Sequence, residues 1–315
     1  MNKLYCVGEL LIDFQSVGYG SLKDTKQFVK NAGGAPANVC VQAVKLGRQA
    51  CYLTQVGADA FGEFLVSTLR DEGVDTSHIK MSKDYDTSLA FVSFEPDGER
   101  QFSFYRRTAA DLYFTADDFS DITFCRGDVL EFGSVALKTK NAADAHLALI
   151  GRAREAGAVI CFDPNLRFNL WDSDEQLRSA VKTFMPYADI IKVGRDELEF
   201  ISQTTPEDAV PELFKGTNLK ILLVTDGGNG AKLYTADGKE YDFGGYKVNA
   251  VDTTGAGDSF FGGFIAAFMD GGCDFSGKGF EDMLKFACKC GAYTTTNYGA
   301  IPAMGTRQII DKAVK

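Results

Sequence analysis

Residues 251–264 read VDTTGAGDSFFGGF, and they carry the most specific chemistry in the chain. Gly255, Ala256 and Gly257 make a corner almost without side chains, and 259–269 is a run of aromatic, small and aliphatic residues. The pattern predicts a tight turn feeding a buried helix. Such a corner presents backbone N–H groups that lack acceptors, and the helix dipole adds about half a positive charge beside them. An anion, and a phosphate above all, suits that place. Asp258 stands next to it. A carboxylate repels a phosphate that is merely bound, whereas one that takes the proton of an attacking hydroxyl belongs there. The alternative is an Asp that only decorates a helix start, where Asp is favoured in any case. Two other phosphate-binding patterns are excluded. The chain has no Gly-Lys-Ser/Thr, and the third glycine of a dinucleotide fingerprint falls on Phe260.

Other polar residues gather at expected strand ends, where open parallel sheets bind ligands. Asp13 closes an apolar run over 4–12 and is placed to accept from hydroxyls, or else to cap its own loop. In NAGGAPANVCVQAVKLG (31–47), Gly33 and Gly34 allow close approach of the backbone to a ligand. Pro36 suits a first helical turn and Gly47 a stop. Asn38 offers its amide to a hydroxyl or to its own backbone. DPNLRFNLW (163–171) projects Asn165 and Arg167 from a strand that Pro164 ends, and DGGNG (226–230) is a second glycine-rich turn.

The elements that must position these residues alternate. Strands are expected at 4–12, 50–56, 128–137, 158–163, 189–193 and 219–225, with helices between them from Pro36, Asp59, Asn141 and Ser173. A hairpin is expected over 87–107, turning at Pro96-Asp97-Gly98, with Phe102 and Phe104 on one side and Tyr105 on the other, ahead of Arg106 and Arg107. Another turns at Asp237-Gly238, and helices near 280–297 and 305–313 close the chain. This is an α/β pattern: one doubly wound, mostly parallel sheet with helices on both faces, as a single domain over 1–315. The hairpin, with segment 14–30, is expected to form a small β lid reaching about residue 108.

The 315 residues are 45% hydrophobic, enough for one large α/β domain or two smaller ones. A net charge of −10 argues against an extended nucleic-acid or membrane-surface site, but not against ATP. No apolar run approaches the ~20 residues of a membrane span. The eight cysteines form no CxxC pair and sit mostly in apolar runs, as reduced thiols of a cytoplasmic protein do.

GGAPAN (33–38), LG (46–47), VGADAFG (56–62) and DTTGAGDSF (252–260) resemble the two signatures of the ribokinase-like, phosphofructokinase-B-type carbohydrate kinases. The likeness runs from Gly8 to Pro302. GELLIDF (8–14), FYRR (104–107) and FDPNLRFNLW (162–171) look most like fructokinases, and 2-keto-3-deoxygluconate kinases share much of this. The resemblance implies ATP-dependent phosphorylation of the fructose 6-hydroxyl. Asp258 is then the general base, and Gly255, Ala256 and Gly257 the anion hole. Asp13, Gly33, Gly34 and Asn38 hold the sugar, and Arg106 and Arg167 reach sugar or phosphates. Thr225, Gly227 and Gly230 surround the nucleotide, with Cys288 and Ala292 bordering adenine. Glu197 helps organise Mg²⁺, and Asp252 and Thr254 help bind K⁺. The family's Asn-x-x-Glu segment reads Gly194-Arg195-Asp196-Glu197 here, so its Asn is absent. A lid-mediated homodimer fits the apolar hairpin. A non-catalytic sensor on the same fold is the alternative from another class, and it most easily loses Asp258 or its turn, both of which are intact.

Overall fold

The computed structural model describes residues 2–94 and 100–315; the expected turn at Pro96-Asp97-Gly98 lies outside them. In chain order the first half comprises β1 (Lys3–Val7), β2 (Leu11–Tyr19), β3 (Phe28–Gly33), α1 (Ala35–Lys45), β4 (Gln49–Gly57), α2 (Ala60–Asp71), β5 (Ile79–Ser82), β6 (Ser88–Phe94), β7 (Arg100–Tyr105), β8 (Val129–Gly133) and α3 (Lys140–Glu155). The second half comprises β9 (Val159–Asp163), α4 (Asp174–Phe184), β10 (Ile190–Gly194), α5 (Arg195–Ser202), α6 (Pro206–Leu213), β11 (Ile221–Thr225), β12 (Ala231–Thr235), β13 (Glu240–Phe243), α7 (Ala256–Asp270), α8 (Phe280–Thr295) and α9 (Arg307–Ala313).

Among the described residues, nine strands form a central sheet in the order β13-β12-β11-β10-β9-β8-β1-β4-β5. All neighbours from β5 to β11 run parallel, and β12 and β13 add an antiparallel edge. Side-chain alternation along the strands builds two cores. Leu4 and Cys6 of β1 enter the first, with Val39 of α1, Leu65 of α2, Phe261 and Phe264 of α7 and Leu284 of α8. Tyr5 and Val7 enter the second, with Leu149 of α3, Val181 of α4, Leu198 of α5 and Ala209 of α6. Both faces are therefore covered, as a parallel sheet requires. Chain direction across the sheet reverses at β1 and β8, and the crevice at their carboxyl ends is the expected ligand position.

A second sheet, β3-β2-β6-β7, stands apart from the first. It corrects two boundaries. The run over 4–12 is not one strand: β1 stops at Val7, Gly8 takes φ +154, and β2 restarts at Leu11 in the second sheet. A Cβ on Gly8 would lie 2.8 Å from Pro36 Cγ, so the first turn of α1 packs directly against this break. The second sheet thus takes in 11–33, wider than the expected 14–30. The strand expected over 128–137 likewise ends at Gly133, and a short 3₁₀ turn, Val135–Lys138, follows.

Candidate active site

α7 begins where the glycine corner was expected. Gly255 caps it at φ +74, a left-handed conformation that suits glycine, and a Cβ there would come within 2.7 Å of Ala300 Cβ. Ser259 N–H makes an intrahelical bond to Gly255 O at 2.8 Å, while Ala256 N–H turns back to Thr253 O at 3.3 Å. Helix geometry leaves the N–H groups of Gly257 and Asp258 without intrahelical acceptors. They belong to the same turn as the Asp258 carboxylate.

Asp258 is buried but lines a cavity of about 620 Å³, within the range of small-molecule sites. Asn38 Nδ2 donates to one of its oxygens at 2.8 Å, and Asn165 Nδ2 to the other at 3.3 Å. Asn38 comes from α1, and Asn165 follows β9 with φ +45, so three separate segments fix one carboxylate. Burial pushes its pKa above the ordinary value, and the nearby charge of Lys192 and the Asn38 hydrogen bond pull it back. Asp13 lies at the base of β2 and lines the same cavity. Its pKa rises to about 6, through burial first, opposed by Arg167 and reinforced by the charge of Asp258. Gly33 faces it: a Cβ there would sit 2.1 Å from Asp13 Oδ2. Gly34, at φ +122, passes so close to Glu9 that a Cβ would lie 2.3 Å from Glu9 O. Gly34, Asn38, Arg167, Glu197, Thr254, Gly255 and Gly257 also line the cavity, with Phe102 and Phe104 of β7 as an aromatic wall.

Several expected residues lie elsewhere. Arg106 does not line the cavity. Its Nη2 donates to buried Asp111 at 2.6 Å and its Nε to Ser88 at 2.7 Å, so burial beside a carboxylate has turned this cation into an internal brace. Thr225, Gly227, Gly230, Cys288 and Ala292 are also outside the cavity lining. They lie on β11, the turn after it and α8, and α8 packs against β12 and β13. A Cβ on Gly230 would lie 1.9 Å from Phe243 O, so closure of the β12–β13 hairpin already demands glycine there. Asp252 accepts from Thr254 N–H and Oγ–H at 2.9 and 2.6 Å and from Gly299 N–H at 2.9 Å, tying the loop before α7 to the loop after α8. Glu197 accepts from Leu166 N–H and Gly194 N–H, both at 2.7 Å. Among the described residues, no three His, Cys, Asp or Glu side chains form a metal-binding group.

Two residues were missed. Lys192 of β10 lines the cavity, and its Nζ donates to Asp163 Oδ2 at 3.0 Å. The signal was present: in IIKVG (190–194) a lone cation interrupts a buried strand, and lysine is almost never buried unpaired. Glu9 is the other; Ala35 N–H donates to it at 3.0 Å, and burial raises its pKa to about 7.

A doubly wound sheet, a bare helix corner and a buried acid over a polar cleft match one family of enzymes. The chain matches the pfkB family of carbohydrate kinases over residues 1–307 and belongs to it. Its curated relatives include Fructokinase-1 of Zea mays, 41% identical over 97% of each chain, and Probable fructokinase-2 of Arabidopsis thaliana, 42% identical over 95% of this chain and 92% of the other. The fold matches a fructokinase double mutant of Vibrio cholerae O395 bound to fructose, ADP and potassium ion, with a TM-score of 0.90 and 29% identity over 100% and 99% of the two chains. It also matches aminoimidazole riboside kinase of Salmonella enterica, with a TM-score of 0.86 and 28% identity over 99% of each.

Proposed function

We propose that the protein is an ATP-dependent fructokinase that transfers the γ-phosphoryl group to the 6-hydroxyl of fructose. The observation that carries this is the Asp258 carboxylate, held by Asn38 and Asn165 in a polar cleft directly beside the open N–H groups of α7. Fructokinases at about 40% identity over nearly the whole chain supply the sugar.

A primary hydroxyl is a weak nucleophile, and the polyphosphate of ATP repels one that is already deprotonated. The site must align oxygen and phosphorus, disperse charge and accept a proton as the new bond forms. Asp258 takes that proton. The open amides of the corner, those of Gly257 and Asp258, receive the phosphoryl oxygens. Asp13, Asn38 and the backbone at Gly33 and Gly34 orient the sugar, and Arg167 lies at the edge to reach sugar or phosphate. Phe102 and Phe104 cover the cleft from the second sheet, whose closure would keep water from taking the phosphoryl group. Thr225, Gly227, Gly230, Cys288 and Ala292 would flank the nucleotide beyond the corner.

Mg²⁺ bound to the phosphates would neutralise part of their charge. Mg²⁺ held mainly by phosphate and water needs no all-protein cage. Glu197, in the cavity wall, would order that water. Asp252 and Thr254 would shape a K⁺ loop beside the corner.

The lining favours fructose over 2-keto-3-deoxygluconate. Glu9, Asp13, Glu197 and Asp258 outnumber Arg167 and Lys192 in the lining, so a substrate carboxylate meets more acids than cations. A sugar panel with coupled ADP detection tests this. Fructose should lead in kcat/KM and yield the 6-phosphate; a preference for the keto acid, or binding without turnover on any sugar, contradicts it.

Asp13 adds a pH dependence. As a carboxylate it accepts from sugar hydroxyls, so fructose affinity is full above its pKa of about 6 and is lost as pH falls through that value. Calorimetry between about pH 8 and about pH 5 should show this weakening, and Asp13→Asn should flatten it. Constant affinity in the unmodified protein would remove Asp13 from the sugar site.

We also place a homodimer contact on the second sheet, where Val17, Tyr19 and Val29 are exposed. Sedimentation should give a dimer that Tyr19→Lys with Val29→Lys dissociates; a monomer at micromolar concentration argues against it.

A further inference from the structure

Lys192 has no role in the reaction as set out above, yet its position is specific. Alternation in β10 puts it on the same face as Ile190, toward α1 and α7, and alternation in β9 puts Asp163 on that face with Cys161. The two meet at the carboxyl ends of neighbouring strands, at 3.0 Å. Asp163 uses one of the three ammonium donors, and it is the hydrogen-bond partner of Lys192 among the described residues. The other two remain for a ligand on a side chain that lines the cavity. A Cβ on Gly257 would lie 3.1 Å from Nζ, so the ammonium sits against the very corner whose amides face an incoming anion. The plain alternative is a buried pair that only fills space between strand ends. Such a pair gains little over an apolar replacement, and nothing in it requires contact with Gly257.

We propose that Lys192 is a further catalytic residue: its ammonium, aimed by Asp163 beneath Gly257, donates to the phosphoryl group during transfer. This rests on the fructokinase reading. The sugar oxygen–phosphorus bond forms as the bond from phosphorus to the ADP oxygen breaks. The hydroxyl proton goes to Asp258, and Lys192 keeps its own protons throughout. Asp163 is a positioning residue that acts through Lys192. A fixed cation stabilises the charge spread over the equatorial oxygens, as the amides do.

The test is Lys192→Ala, assayed for fructose turnover and for binding of fructose and of ADP with aluminium fluoride, a mimic of the phosphoryl group in flight. We expect kcat to fall by about 10²–10³-fold, with the KM for fructose changing by less than about threefold. Tight binding of the ADP–aluminium fluoride mimic should be lost while ADP alone still binds. Added propylammonium should restore turnover by at least about tenfold, because it returns the cation to the vacated space; a purely structural pair has no such rescue. Should Lys192→Ala not fold, Lys192→Met with Asp163→Asn removes both charges while keeping volume, and the same kinetic and mimic-binding measurements apply. A folded variant with kcat within about threefold of the parent overturns the proposal. So does a fall in kcat with no change in mimic binding and no amine rescue. Asp258→Asn, measured alongside, separates the two levels: loss there with normal Lys192→Ala activity sinks only the role of Lys192. Normal activity in Asp258→Asn sinks the parent mechanism.

Discussion

Replacing Asp258 by Asn should lower kcat for fructose by roughly 10²–10⁴-fold while leaving fructose affinity little changed. The substitution keeps shape and removes the only carboxylate on the first turn of α7. Asn38 and Asn165 each donate to one of its oxygens, which favours the ionised form that a base needs. Burial raises its pKa, opposed by the charge of Lys192 and the Asn38 hydrogen bond, so the group is a stronger base than an exposed carboxylate. A parallel fall in sugar affinity and turnover would make Asp258 a binding residue. Near-normal turnover would end its assignment as the base.

The second large effect is on stability. Arg106→Met should cost about 3–5 kcal/mol in chemical unfolding, because it leaves the buried carboxyl of Asp111 without its cation. Burial already pushes the Asp111 pKa up and Arg106 holds it down, so the pair is balanced only while both members are present. The double variant Arg106→Met with Asp111→Leu should recover most of the loss. Fructose KM in a folded single variant should change little. A small loss of stability with a large rise in KM would return Arg106 to the sugar site, where the resemblance had put it.

Arg106 also shows where the sequence stops being legible. Its place after a hairpin and before Arg107 says that a cation is near the lid, but not that Asp111, five residues on, turns back to take it. The anion corner was easier, since three small residues, an acid and an apolar run have few other physical uses. Alternation of strand and helix gave the doubly wound sheet, because hydrophobic periodicity is local. The split of 4–12 into two sheets was hidden, because Gly8 abuts Pro36, which α1 brings from elsewhere in the chain. Lys192 was visible as an oddity in an apolar strand, yet its partner lies on the neighbouring strand, 29 residues away in sequence. Pairings across the sheet are what a single chain read in order does not display.

The most direct measurement is a crystal structure with fructose and a non-hydrolysable ATP analogue bound together. The 6-hydroxyl oxygen should lie about 2.6–3.2 Å from an Asp258 carboxylate oxygen, in line with the γ-phosphorus, whose oxygens face the amides of Gly257 and Asp258. A sugar seated with its 6-hydroxyl away from Asp258, or a triphosphate whose tail does not reach the 255–257 corner, would contradict the assignment.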